Sequence, residues 1–264
     1  MAIAFDTTAE VVNTNSWSHT VTGSNPFLLV HICSVTGDIV TAATYNSVSM
    51  TLNAKSNALG GNQWDYSYYL FAPATGAHSV SVTTTSGTIQ YGVSVSYTGA
   101  PGTLLDNTAI STGTATSSSD FANTITSVND NCWHIGTFND VTGRPLLAGT
   151  GTTRRGTGGD SNNGWFRGDN NAAITPAGSN TINAKLTVGS GNAVFFGMTL
   201  SPTAVPFPVN VTDSSAISDT PTIESLLQGV NVTDSSATSD SPSIQEIDDI
   251  TLPVNQLVPR LIVH

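Results

Sequence analysis

The chain has 264 residues, only 9% of them charged, with 18 Asp and Glu against seven Lys and Arg for a net charge of −11. That balance argues against a nucleic-acid surface, which needs basic residues to displace counterions, and against an anionic membrane surface. No apolar run approaches the ~18 residues of a spanning helix, so neither nucleic acid nor membrane insertion is expected.

Ser, Thr, Val and Gly fill the positions that helix formers would occupy, which suits short strands and tight turns. Met1–Asp6 lacks the basic start and long apolar stretch of a secretory signal, so synthesis in the cytoplasm is expected. Ala2–Asp6 and Ser16–Thr22 read as strands, followed by a Gly23-Ser24-Asn25-Pro26 turn. Phe27–Val35 is a continuous apolar run of strand length, as in a strand covered on both faces. Val40–Tyr45 and Val48–Leu52 flank Asn46-Ser47, a tight hairpin. After the polar Asn53–Gln63 loop come Tyr66–Phe71, His78–Thr84 and Thr88–Thr98, the last two alternating apolar with hydroxyl residues.

Gly99–Ser119 is small and polar, a crossing connection or an edge region; Ala122–Val128 and Asn131–Asn139 resume as strands. Leu146–Asn171 is irregular and rich in glycine, and Asn180–Val188 with Asn192–Leu200 closes the domain as a hairpin. Period-two patterning at roughly ten-residue spacing predicts an all-β, two-sheet antiparallel sandwich, jelly-roll-like, over residues 1–203. Cys33 and Cys132 lie in strand-like apolar segments and are expected as reduced core residues, with a disulfide as the alternative.

Residues 204–208 form a Pro-rich exit, after which Val209–Ala216 returns as Val230–Ala237 and each copy runs on to Ile223 and Ile244. Apolar residues alternate with hydroxyls and carboxylates there, as in a strand with one covered face. Two copies are too few for a self-sufficient solenoid, and open strand edges need a partner. Residues 209–264 are therefore expected as an extended docking tail, with Val209, Val211, Ile223, Val230, Val232, Ile244, Leu252, Val254, Leu257, Val258, Leu261, Ile262 and Val263 received by another subunit or protein. Calcium at the repeated Asp213, Asp219, Asp234 and Asp240 lacks any known spacing.

The chain has no Gly-x-Ser-x-Gly elbow, Walker loop or dinucleotide fingerprint, and its five histidines share no metal-ligand spacing. His31 and His134, in apolar strands, read as hydrogen-bonded structural histidines. A non-enzymatic protein without cofactor or metal is expected. The candidate ligand site is the irregular stretch, where Arg154, Arg155, Asp160, Asn162, Asn163, Trp165, Arg167 and Asp169 combine an aromatic with planar polar groups, as sugar rings require. The alternative is a loop whose arginines pair with nearby acids and whose Trp165 plugs the core.

Ser18–Val21, Asn25–Val30, Val48–Leu52, Tyr69–Val80 and Ala148–Arg155 together resemble a β-sandwich module of tailed-phage virion proteins and environmental bacterial surface proteins. The Val-Thr-Asp-Ser-Ser repeats resemble the low-complexity repeats of phage tail and fibre proteins. The resemblance implies a virion protein, a capsid decoration or head-fibre subunit, whose partners are further copies of itself, as a trimer, and a capsid or tail protein. A carbohydrate-binding adhesion module is the alternative.

Overall fold

The computed structural model describes residues 2–57, 62–100, 105–116, 118–140, 144, 146–156 and 164–202, with backbone alone for 114, 115, 165, 166, 210–213, 222–225, 231–234 and 243–246. Met1–Thr203 and Ala204–His264 are separate units.

Among the described residues of the first unit, every element is a strand. The first half holds β1 (Ala4–Val12), β2 (Ser16–Val21), β3 (Phe27–Ser34), β4 (Val40–Tyr45), β5 (Val48–Ser49), β6 (Thr51–Ser56), β7 (Trp64–Phe71), β8 (Gly76–Thr84) and β9 (Tyr91–Thr98). The second half holds β10 (Asn107–Thr116), β11 (Phe121–Thr126), β12 (Trp133–Asp140), β13 (Leu146–Ala148), β14 (Thr153–Gly156), β15 (Gly164–Asp169), β16 (Ser179–Leu186) and β17 (Ser190–Leu200).

They form four antiparallel sheets rather than two. An outer sheet β2-β8-β4-β5 covers an inner sheet β1-β9-β3-β7-β6; a second inner sheet β10-β17-β12-β15-β14 is covered by an outer sheet β11-β16-β13. The two halves repeat one topology: β1, β9, β3, β7 and β6 occupy the places of β10, β17, β12, β15 and β14, and β2, β8 and β4 those of β11, β16 and β13. The all-β sandwich holds, but as two sandwiches of like strand order.

Side-chain alternation places three cores between four layers. Leu28, Val30 and Ile32 of β3 pack with Trp17, Tyr45, Val80 and Val82 inside the first sandwich. Phe27, Leu29 and Cys33 face the other way and meet Trp133, Ile135, Met198 and Leu200 of the second inner sheet. Phe138 and Phe195, whose ring centroids lie 4.0 Å apart, pack with Phe121, Ile182 and Leu186 inside the second sandwich. The inner sheets are thus covered on both sides, which is why every residue of β3 and of β12 is buried. Burying each such Leu, Ile or Phe contributes about 1.5–3 kcal/mol.

Turn chemistry follows the sequence. Asn46 and Ser47 both take positive φ, at 49° and 65°, as the two-residue hairpin between β4 and β5 requires. Gly99–Ser119 supplies β10, an edge strand paired along its whole length with β17. The irregular 146–171 stretch is a correction: it contains β13, β14 and β15, and β15 is sandwiched between β12 and β14. Both cysteines are free and buried.

In the second unit the repeats pair with each other. β18 (Asn210–Asp213) lies parallel to β20 (Asn231–Asp234), and β19 (Thr222–Ser225) parallel to β21 (Ser243–Glu246). Val211 is opposite Val232 and Ile223 opposite Ile244, so each residue meets its own counterpart 21 positions on. The parallel in-register pairing satisfies one backbone edge of each repeat. Val209, Val230 and all seven apolar tail residues from Leu252 to Val263 lie outside the described residues.

Candidate functional site

Of the residues singled out in 146–171, Arg155, Arg167 and Asp169 lie at the seam between the two inner sheets. Register puts Asp169 opposite Ile135, a residue of the seam core, and Arg167 opposite Thr137 two places along. Alternate residues of one strand share a face, so Arg167 and Asp169 both look toward the first sandwich.

Asp169 is fully buried and well satisfied. Arg155 grips it in two places, Nε to Oδ2 at 2.6 Å and Nη2 to Oδ1 at 3.0 Å. The Tyr97 hydroxyl, from the first sandwich, donates to Oδ2 at 3.1 Å, and the Asn171 N–H to Oδ1 at 2.9 Å. A bidentate guanidinium–carboxylate pair is the strong form of this contact. Arg155 also lies 4.8 Å over the Phe5 ring of β1 and donates to Asn171. Burial and the Asp169 charge both push the Tyr97 phenol well above its ordinary range.

Arg167 is 2% exposed, and its Nε, Nη1 and Nη2 have no hydrogen-bond partner. Burial lowers its pKa, partly opposed by the Glu10 charge on β1. Arg154 is exposed on β14. Trp165 has its backbone paired with Asn139, and its side chain lies outside the described residues, as do Asp160, Asn162 and Asn163. The expected exposed loop is therefore corrected at Arg167 and Asp169, which are interior, and the pairing of an arginine with a nearby acid is what Arg155 and Asp169 show.

A second polar group, not foreseen in the sequence, sits in the same seam. Asp65 Oδ1 accepts from Asn139 Nδ2 at 2.5 Å and lies 3.1 Å from His31 Nε2, with the Cys33 thiol 3.8 Å from Asn139 Nδ2. Burial pushes the Asp65 carboxyl up to about 7, against the hydrogen bonds from Asn139 and Cys33. The same burial raises the Cys33 thiol. The sequence signal was a lone carboxylate inside the aromatic strand Trp64–Phe71.

His31 and His134 are hydrogen-bonded core residues, as expected. His134 lies 3.0 Å from Asn123 Oδ1 and 3.1 Å from Asn180 Oδ1. His19 lies 2.9 Å from Ser94 Oγ and 3.0 Å from Ser96 Oγ. Among the described residues, no group of three or more His, Cys, Asp or Glu is placed to hold a metal ion. The chemistry of the seam is cohesion: the Tyr97–Asp169 and Asn139–Asp65 hydrogen bonds and the Arg155–Phe5 contact tie one sandwich to the other.

No family model, curated protein or solved structure matches this chain.

Proposed function

We propose that the chain is a non-enzymatic virion structural protein, a phage capsid decoration or head-fibre subunit that associates through its C-terminal repeats. The observation that carries this reading is the parallel, in-register pairing of the two repeats. A strand pair of this kind uses one backbone edge of each strand and leaves the other as a template for further pairing. The tied pair of sandwiches supplies a stiff head, and the resemblance of both segments to virion proteins supplies the setting. The partners are further copies of the chain, as a trimer, and a capsid or tail protein.

The test compares incorporation of the full chain with that of a chain lacking residues 209–264 into assembled particles, counted by electron microscopy. Loss of incorporation with a soluble, monomeric sandwich unit is the expected result. Unchanged incorporation overturns the proposal.

A further inference from the structure

The seam holds a buried cation that donates no hydrogen bond to any carboxylate. Arg167 is 2% exposed, and none of its three guanidinium nitrogens meets an acceptor. The carboxylate nearest in sequence, Asp169, is occupied by Arg155, Tyr97 and the Asn171 N–H. Glu10 reaches Arg167 through its field but accepts no hydrogen bond from it. Directly opposite Arg167 across the strand pair stands Thr137, whose Oγ1 is likewise buried without a partner. On the other side stands Gly156, and over its bare Cα close in the Thr8 hydroxyl and a Glu10 carboxylate oxygen.

Burying a guanidinium without hydrogen-bond partners is costly, because the hydration it loses is not replaced. Water supplies lone pairs but no charge. An anion supplies both, and a guanidinium fork beside a hydroxyl is a donor set that halides and oxyanions share. We propose that Arg167, with the Thr137 hydroxyl, binds a small inorganic anion between the two inner sheets.

The test is thermal unfolding of the full chain in chloride, bromide or phosphate, with ionic strength held constant by gluconate. A ligand that binds only the folded state raises the midpoint as its concentration passes the dissociation constant. The expected result is a saturable rise with at least one of these anions, lost in Arg167→Met and retained in Glu10→Gln. Which anion saturates distinguishes a halide from an oxyanion. No rise in the wild type, or an equal rise in Arg167→Met, overturns the proposal. So does a Glu10→Gln chain as weakened as Arg167→Met, since Glu10 would then be the counter-charge. Should Arg167→Met fail to fold, anomalous diffraction from bromide-soaked wild-type crystals decides: a peak within hydrogen-bond reach of Arg167 supports the site, and its absence removes it.

Discussion

The Tyr97 hydroxyl donates to the Asp169 carboxylate at 3.1 Å, and this bond crosses from the first sandwich to the second. It ends on a carboxylate already held twice by Arg155. Asp169→Ala leaves both partners without their acceptor and is expected to cost about 3–5 kcal/mol. Tyr97→Phe removes one hydrogen bond to a charged group and is expected to cost about 1.5–3 kcal/mol. Urea unfolding checks both, and a double-mutant cycle with Arg155→Ala should give strong non-additivity for Asp169.

Acid should weaken the fold through two histidines. Burial lowers His19 and His134 each to about 4, below an unfolded value of about 6.5. The neutral form is the one the fold holds, so this contribution is complete above pH ~6.5 and is lost as pH falls toward 4. Each histidine accounts for roughly 3 kcal/mol across that window. Asp65, raised to about 7, gains stability over the same window, so the histidine loss is read by difference: equilibrium unfolding between pH 7 and 4 should show less acid destabilisation in His134→Gln than in the unsubstituted chain.

Gly136 marks where the second sandwich has no room. A Cβ there would come 2.2 Å from Phe195 Cζ and 2.8 Å from the Phe196 carbonyl. Gly136→Ala is expected to destabilise by at least the ~1–3 kcal/mol typical of overpacking. Gly178→Ala is the control, since its nearest neighbour would be the Pro176 carbonyl at 3.7 Å. Thermal midpoints of the two variants should separate clearly.

In the tail, Asp213 lies opposite Asp234 in a parallel pair. Like charges side by side are destabilising, so Asp234→Asn and added salt should both strengthen the pairing. Val232→Pro places a residue without an N–H inside β20 and should weaken the pairing. Amide exchange at residues 210–213 reads all three.

Much of the fold was legible because its signals are local. The apolar run from Phe27 announced a strand covered on both faces, and Asn46-Ser47 announced a hairpin. The stretch 146–171 misled because β14 and β15 alternate Arg, Gly and Asp where strands usually carry apolar residues. Arg155 and Asp169 belong to strands because they pair with each other at the seam, held there by Tyr97 and Phe5 from the other half. The duplication was hidden for a related reason. Equivalent strands keep burial rather than identity: β8 buries Val80 and Val82, and β16 buries Ile182, Ala184 and Leu186. Pro73-Ala74 before Gly76 and Pro176-Ala177 before Gly178 were its clearest trace. The candidate site was legible only as composition, since Asp65 and Asn139 stand 74 residues apart.

Cys33 and Asn139 are each the seventh residue of an eight-residue strand, in matching places of matching sheets, and they touch across the seam. The layout is that of two like subunits fused into one polypeptide. Fusion fixes their ratio at one to one without any diffusional search. It also frees each half to drift, on condition that a bulkier group at one of these facing positions is answered by a smaller one at the other.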